Sequence, residues 1–552
     1  MLNTDIILTG TIKNPRVAKT KTGEKMAFVS LESEDGEIID TVFFPRVWKE
    51  YEVKIKEGKF VTLCGKFSNN IQNQKNDKNR FAVSSVLPRV KKTEEALKTN
   101  WDLIKNPEKY EKPMSFKIHR GTEEIGGTCV EIWTDNARVI VDIGMPLVNQ
   151  DKTPFDAREI ENCSKEKLID NKILPNIPSL YENNSNTALL ISHAHQDHYG
   201  LMKHINPSCP VYLGFGTQLL IELTNTFTDK KWTINNAKHI KNGKKFSVGD
   251  IEITPYLMDH AAFDAYAFLI EANGKSIFYS GDFRLHGRKR KYFDWFYNDV
   301  KKPVDYLLLE GSTIGRTNEL FPTEDELEKQ FIEIFNQTKG INLVYVSGQN
   351  IDRIKSIHNA CRQCNKIFLI DFYVANVLKT LNKKADSTIP FPSQRTYPEI
   401  KVYYPDRLTD RMIKRGKKPE TINPFKPHMI SRRDIDKLAS RLVMVVRPPM
   451  KIDLKRFLHK YEDGCFIYSQ WGGYKIKPGE TKDFLDFIAG KGMPIKDIHT
   501  SGHADLPGLK RMVEAVKPKH IVPIHTFERK KYKELFSDYH VLDITDKETI
   551  KM

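Results

Sequence analysis

"ISHAHQDHYG", residues 191–200, sets His193, His195, Asp197 and His198 into six consecutive positions behind the apolar run "TALLI". Packing alone has no use for three imidazoles and a carboxylate in so short a span, because buried polar groups without partners cost several kcal/mol. In extended backbone, residues two apart point to the same side, so His193 and His195 can grip one ion together. The chain then turns toward a helix at "DHYGLMKHI", which aims Asp197 and His198 elsewhere, at a second ion. Imidazole and carboxylate without thiolate suit Zn²⁺, with Mn²⁺ or iron as alternatives.

One stretch cannot surround two ions, so further ligands belong at other strand ends. His260 closes "IEITPYLMDH", Asp282 closes "SIFYSGD" and His525 closes "KHIVPIH". Asp142, in "VIVDIG", is placed to orient a ligand from behind. Apolar runs such as "ARVIVDIG", "TALLISH", "VDYLLLEG", "INLVYVSG", "KIFLIDF" and "CFIYSQW" alternate with helical patterns. That is an α/β layout, and open α/β sheets place their sites beyond the carboxyl ends of strands.

Together these stretches resemble the metallo-β-lactamase superfamily: Asp142 of VDIG, then HAHQDH, then His260 of DHAAFDAYAF, then Asp282 of GDFR. They further resemble its β-CASP branch of nucleases, which contains ribonuclease J and the cleavage factor of mRNA 3′-end processing. The residues that carry this are Glu310 in "LLLEGST", His503 in "IHTSGHAD" and His525 in "IVPIH". The match runs from about residue 115 to 552. It implies a metallo-β-lactamase αββα sandwich with an inserted β-CASP domain. It also implies two divalent ions, Zn²⁺ first and Mn²⁺ second. His193, His195 and His260 would hold one ion, Asp197, His198 and His525 the other, with Asp282 bridging.

The implied reaction is in-line attack of a metal-activated hydroxide on a phosphodiester, leaving a 5′-phosphate. His503 would protonate the departing 3′ oxygen while Glu310 orients it, and Asp142 and Asp197 complete the catalytic set. In the DNA-repair members of the branch an apolar residue replaces the last histidine, so His525 favours RNA. "RGTEEIGGTC", residues 120–129, departs from the glycine-rich form usual in ribonuclease J.

Residues 1–90 read differently. Short alternating runs, "IILTGTI", "MAFVSLES", "EIIDTVFF" and "KFVTLCGKF", predict a small antiparallel barrel. The stretch "KTKTGEKMAFVSLESEDGEIIDTVFFPRVWKEY" resembles the OB-fold domain appended to replicative DNA polymerases, which is not a ribonuclease J feature. Such barrels stack bases on aromatics in a basic groove. The rings available are Phe28, Phe43, Phe44 and Trp48, with Phe28 and Trp48 the candidate stacking contacts, beside Lys19, Lys21 and Lys25. The expected divisions are a linker over 91–113, the sandwich over 114–324 and 481–552, and the insertion over 325–480, a separate lobe facing the metals across a cleft.

Four further stretches are candidates for holding a nucleic-acid strand. "VSGQNIDRI" puts Ser347, Gly348, Gln349 and Arg353 at a strand-to-helix turn, where free amides favour phosphate. Ser501 precedes the SGHA histidine. "SQWGGYK" offers Trp471, Tyr474 and Lys475, and "LHGRKRKYF" offers Arg288, Lys289, Arg290 and Lys291.

Composition agrees with a polyanionic partner. The chain of 552 residues carries 87 basic and 71 acidic side chains, a formal charge of +16. No apolar run approaches the ~18 residues of a membrane helix, and the N-terminus "MLNTDIILTG" does not read as a signal peptide. Seven cysteines, an odd number, fit reduced thiols in the cytoplasm. Cys361 and Cys364 form a lone CxxC read as structural. The expected function is a metal-dependent nuclease of RNA, exo- or endonucleolytic, with nucleic acid and a second copy of the chain as partners and no membrane contact. The alternatives are a single-stranded DNA nuclease of the same chemistry and a binding scaffold, which ranks last because no ligand is missing.

Overall fold

The computed structural model describes residues 6–20, 22–68, 80–87, 113–149, 153–161, 163–184, 186–300, 302–316, 320–386, 388–457, 463–476 and 479–552. The chain divides into two compact units, residues 1–113 and 114–552. The expected linker and Lys21 lie outside the described residues, Pro113 excepted.

The first unit is a closed five-stranded barrel. In chain order its strands are Ile6–Lys19, Lys25–Glu32, Ile38–Phe43, Phe60–Ser68 and Arg80–Leu87, hydrogen-bonded in the order first, second, third, fifth, fourth. Helix Pro45–Tyr51 joins the third strand to the fourth. Alternation along the second strand sends Ala27, Val29 and Leu31 inward and leaves Phe28 half-buried on the outer face. A β-carbon on Gly10 would strike the Glu32 carbonyl, and one on Gly65 the Ala82 carbonyl, so glycine is required where those strands close up. Trp48, expected as a stacking surface, is instead in the barrel core, edge-on to Phe43 at 6.0 Å between ring centroids. It sits on the helix that plugs the barrel, so its inward face has no water to exchange for a base. Phe43 is buried with it, and Phe44 is the exposed ring of the pair.

The second unit is built on two seven-stranded sheets packed face to face. The first sheet runs Ala237–His239, Val211–Leu213, Thr187–Ile191, Arg138–Val141, Cys129–Trp133, Ser115–Arg120, Thr549–Lys551. The second runs Phe246–Val248, Ile251–Met258, Ala265–Ala272, Lys275–Tyr279, Tyr306–Glu310, His520–Ile524, His540–Val541. Burial on both faces explains the unbroken apolar runs. Val139, Val141, Ala188 and Leu190 face the opposite sheet, while Ile140, Leu189 and Ile191 face the outer helices. On the second sheet Leu308 points inward, and Leu307 and Leu309 meet helices Lys291–Asp299 and Leu506–Val516. The result is the four-layer α/β/β/α sandwich that the sequence resemblance implies.

Between Glu310 and His503 the chain builds a third, all-parallel sheet of six strands. Its order is Ile400–Tyr403, Ile367–Asp371, Leu442–Val446, Asn342–Tyr345, Cys465–Tyr468, Ile495–Asp497. Its last strand lies beyond residue 480, so the insertion extends past the expected boundary. Nor is it a lobe with a fully separate core. One face has its own apolar cluster, but the helices on the other, Ile351–Gln363 and Phe372–Lys384, join the cluster under the first sheet. Phe372 meets Phe227 of sandwich helix Phe215–Thr228 at 5.9 Å. No helix among the described residues is long and apolar enough to cross a membrane.

Candidate metal centre

The strand ends deliver the site. His193 follows Thr187–Ile191, His260 follows Ile251–Met258, Asp282 follows Lys275–Tyr279, and His525 follows His520–Ile524. Helix Gln196–Tyr199 starts directly after His195, with Asp197 in its first turn. These residues form overlapping sets whose ligand atoms lie within 4.8 Å of one another: His193, His195 and His260; His193, His198 and Asp282; Asp197, His198 and His525. A fourth set, Asp282, His503 and His525, brings the SGHA histidine to the same place.

Each ring is held from behind. His198 Nδ1 donates to Asp142 Oδ2 at 2.7 Å, leaving Nε2 toward the centre. Asp142 also accepts from Ser192 N, Ser192 Oγ and Tyr279 OH, each at 2.7 Å, so it is an orienting group without contact to the centre. His260 Nδ1 donates to the Gly502 carbonyl at 2.6 Å. His525 Nδ1 lies 2.9 Å from Thr128 Oγ1. Asp142 and His525 both sit in the left-handed backbone region, at φ 60° and 54°, conformations a non-glycine residue holds only where the surroundings impose them.

A cation fits this arrangement. His198 Nε2, His525 Nε2 and both Asp282 oxygens are buried without a hydrogen-bond partner. Although His198 Nε2 lies 3.2 Å from Asp282 Oδ2, the two are not aligned to bond. Such convergent orphaned donor atoms are costly unless an ion satisfies them. Burial, and then neighbouring imidazoles, hold His193 and His260 well below the ordinary imidazole range, so both rings offer lone pairs.

His503 has a second partner. Its Nδ1 is 3.2 Å from Glu310 Oε2 and 3.3 Å from Oε1, and its side chain keeps 23% exposure. Glu310 is itself fixed, accepting from Phe283 N and Ser312 N at 3.2 Å each. Burial pulls the imidazole down, but Glu310 and Asp282 outweigh it and hold His503 up at about 9. With Nδ1 engaged, Nε2 is the nitrogen left to give a proton to a substrate.

The strand-binding expectations fare unevenly. Ser347 is exposed, but Gln349 Nε2 is engaged by Thr224 Oγ1 and Tyr373 OH at 2.8 and 2.7 Å. Arg353 is fully buried, paired with Glu324 at 3.0 Å, so it cannot meet a substrate. Asn350 caps the following helix by accepting from Arg353 N, and Gly348 lies buried against Val374 and Tyr373. That turn is closed by its own side chains and is not an anion cradle. Ser501 Oγ accepts from His503 N at 3.0 Å, ordering the SGHA loop. Arg288, Lys289 and Arg290 pair with Glu328, Asp352 and Asp325. Trp471 and Tyr474 meet edge-on at 5.2 Å, the Arg316 guanidinium sits 5.0 Å from the Trp471 ring, and burial and then Asp197 raise the Tyr474 hydroxyl. Sequence reading missed Arg316, whose only signal was an unexplained cation soon after Glu310.

The sandwich and this donor set define a metallo-hydrolase site that binds divalent metal. The "Beta-lactamase superfamily domain" model matches residues 162–346, and the "Zn-dependent metallo-hydrolase RNA specificity domain" model matches 492–541. Ribonuclease J of Helicobacter pylori strain B128 is 23% identical over 421 residues, 73% of this chain and 55% of that protein. Ribonuclease J of Mycoplasma genitalium is 23% identical over 438 residues, 75% of this chain and 68% of that one. Transcription termination factor FttA of Pyrococcus abyssi is 24% identical, covering 73% and 65%. This chain thus spans about half the length of the Helicobacter relatives. A crystal structure of a protein of unknown function from Enterococcus faecalis V583 has the same fold, with TM-score 0.62, 22% identity, and coverage of 80% of this chain and 100% of that one. These matches make the chain similar to the metallo-β-lactamase superfamily and, within it, to the ribonuclease J-like β-CASP proteins.

Proposed function

We propose that this protein is a nuclease that hydrolyses phosphodiester bonds of RNA with two divalent ions, Zn²⁺ ahead of Mn²⁺. The observation that carries the reading is the meeting of a full donor set with the His503–Glu310 pair at one point. His193, His195 and His260 would hold one ion, Asp197, His198 and His525 the second, and Asp282 would lie between. Such ions supply Lewis acidity toward phosphoryl oxygens and acidify water. The chain's own part is orientation and proton delivery. Water attacks phosphorus, the bond from phosphorus to the 3′ oxygen breaks, and His503 Nε2 gives its proton to that oxygen. Glu310 holds the ring for this transfer, and the products are a 5′-phosphate and a 3′-hydroxyl.

The same reading makes the barrel an OB-type module for single strands. Its strand order and its helix between the third and fourth strands support this, as do the outward Phe28 and Phe44 beside Lys19 and Lys25. Seven free thiols support work in the cytoplasm. Digestion of matched 5′-labelled RNA and DNA, single- and double-stranded, with Zn²⁺ or Mn²⁺ tests the assignment. Cleavage of RNA ahead of DNA is expected, and preferential cleavage of single-stranded DNA would overturn it.

A further inference from the structure

A cavity of about 430 Å³ opens in the sandwich on the far side of the loop that holds His525. Its lining combines buried Ile143, Leu174 and Leu201 with Lys117, Arg120, Lys172 and Lys547. Among the described residues no carboxylate lies within ion-pair distance of Lys117, Lys172 or Lys547, though the cavity wall is concave and partly apolar. Lys117 sits 6.0 Å from the Trp133 ring, and Arg120 reaches the Lys172 carbonyl. His119 at the same wall lies 2.7 Å from the Glu131 carboxylate through Nε2, and burial, then Lys117 and Lys547, hold it down to about 4. Lys172 and Lys547 occupy left-handed backbone, at φ 58° and 72°, where glycine would be unstrained.

We propose that this cavity binds a nucleotide: an aromatic base against the apolar lining and a phosphate monoester among Lys117, Lys172 and Lys547. Pockets of this size with an apolar body and a few convergent polar groups suit such a ligand, and cationic donors bind phosphate by charge-assisted hydrogen bonds. Asp170, the one carboxylate of the lining, supplies an acceptor for a ribose hydroxyl and weighs against a polyphosphate.

Its position couples it to the metal centre. Gly127 and Cys129 line the cavity, while Gly126 N lies 3.3 Å and Thr128 Oγ1 2.9 Å from His525 Nδ1. Ile143 and Gly144 also line it. Ile143 N donates to the His198 carbonyl at 2.8 Å, and a β-carbon on Gly144 would strike the Asp197 carbonyl. The wall between cavity and donor set is therefore one segment of backbone thick. A bound nucleotide stiffens the segment that orients His525. The regulatory sense of this, product sensed behind the site that makes it, rests on the proposed nuclease reading, whereas the binding does not.

Calorimetric titration of the full chain, stripped of metal with chelator, decides it. AMP is expected to bind one-to-one, with adenosine and inorganic phosphate at least tenfold weaker. Lys172→Glu combined with Lys547→Glu, two residues outside the donor set, is expected to weaken AMP at least tenfold with the thermal midpoint unchanged. Asp197→Asn is expected to leave AMP affinity intact. Absence of AMP binding, binding indifferent to the two charge reversals, or binding lost in Asp197→Asn would each overturn the proposal. Phosphate binding as tightly as AMP would overturn the nucleotide assignment. Cleavage is not measured at any step, so failure here leaves the nuclease reading standing.

Discussion

His503 and Glu310 stand 193 residues apart in the chain and 3.2 Å apart in space. If His503 delivers the proton to the leaving oxygen, its loss matters in proportion to how poor that leaving group is. His503→Ala is expected to lower kcat on RNA by about 10²–10⁴-fold and to cost less than about tenfold on bis(p-nitrophenyl) phosphate, whose leaving group needs no acid. Metal content, measured on the same samples, should be unchanged; equal losses on both substrates would assign His503 to the metal instead. At this scale the sequence was informative where a residue type is chemically improbable for a core. The histidines and acids at strand ends were legible for that reason. It misled where the type suits a substrate but the partner is elsewhere in the chain, as with Arg353, whose acceptor Glu324 lies 29 positions away. It was likewise mute on whether Trp48 faced into the barrel or out of it.

Between element and element, a buried polar assembly is centred on Arg284. Its guanidinium, fully buried, reaches Asp259 at 3.2 Å, Asp352 at 2.7 Å, Glu324 at 3.4 Å and the Ser501 carbonyl at 3.1 Å. It thereby ties a strand end of the sandwich to the first turns of helices Glu324–Gln337 and Ile351–Gln363 and to the loop that carries His503. Arg284→Met strands buried Asp259, leaves Glu324 to Arg353 and Asp352 to Lys289 alone, and is expected to destabilise the fold by about 3–5 kcal/mol in denaturant unfolding. Burial alone would raise Glu324 and Asp352, but Arg353 and Arg284 for the first, and Lys289 and Arg284 for the second, hold both down to about 2. Their contribution is therefore present above the unfolded carboxylate range of about 4 and is lost as pH falls toward 2. Wild type should lose stability steadily through that window, and Arg284→Met should lose less. Strands such as "TALLI" and "YLLLE" were legible because both their faces are buried. The pairing of Thr549–Lys551 with Ser115–Arg120 was not, since nothing local marks an edge filled from the other end of the unit. The boundary of the insertion was missed for the same reason, its sixth strand being a short exposed run, "IKD".

Over the whole chain, the proposed roles fall on two compact units, strand capture on residues 1–113 and chemistry on 114–552. Every proposed ligand belongs to the second unit, so removing the barrel should spare kcat and metal content. A tethered second contact acts through effective concentration, and each stacked base is worth about 1–3 kcal/mol. Truncation is therefore expected to raise KM on long strands at moderate salt while leaving short oligonucleotides nearly unaffected; equal kinetics on both lengths would remove this role. Isotope tracing reads the proposed hydrolysis directly. RNA digested by metal-loaded enzyme in H₂¹⁸O should yield ¹⁸O in a 5′-phosphate, opposite an unlabelled 3′-hydroxyl, with no product when Asp197 is replaced by alanine. Products ending in 2′,3′-cyclic or 3′-phosphate, or label absent from the 5′-phosphate, would contradict it.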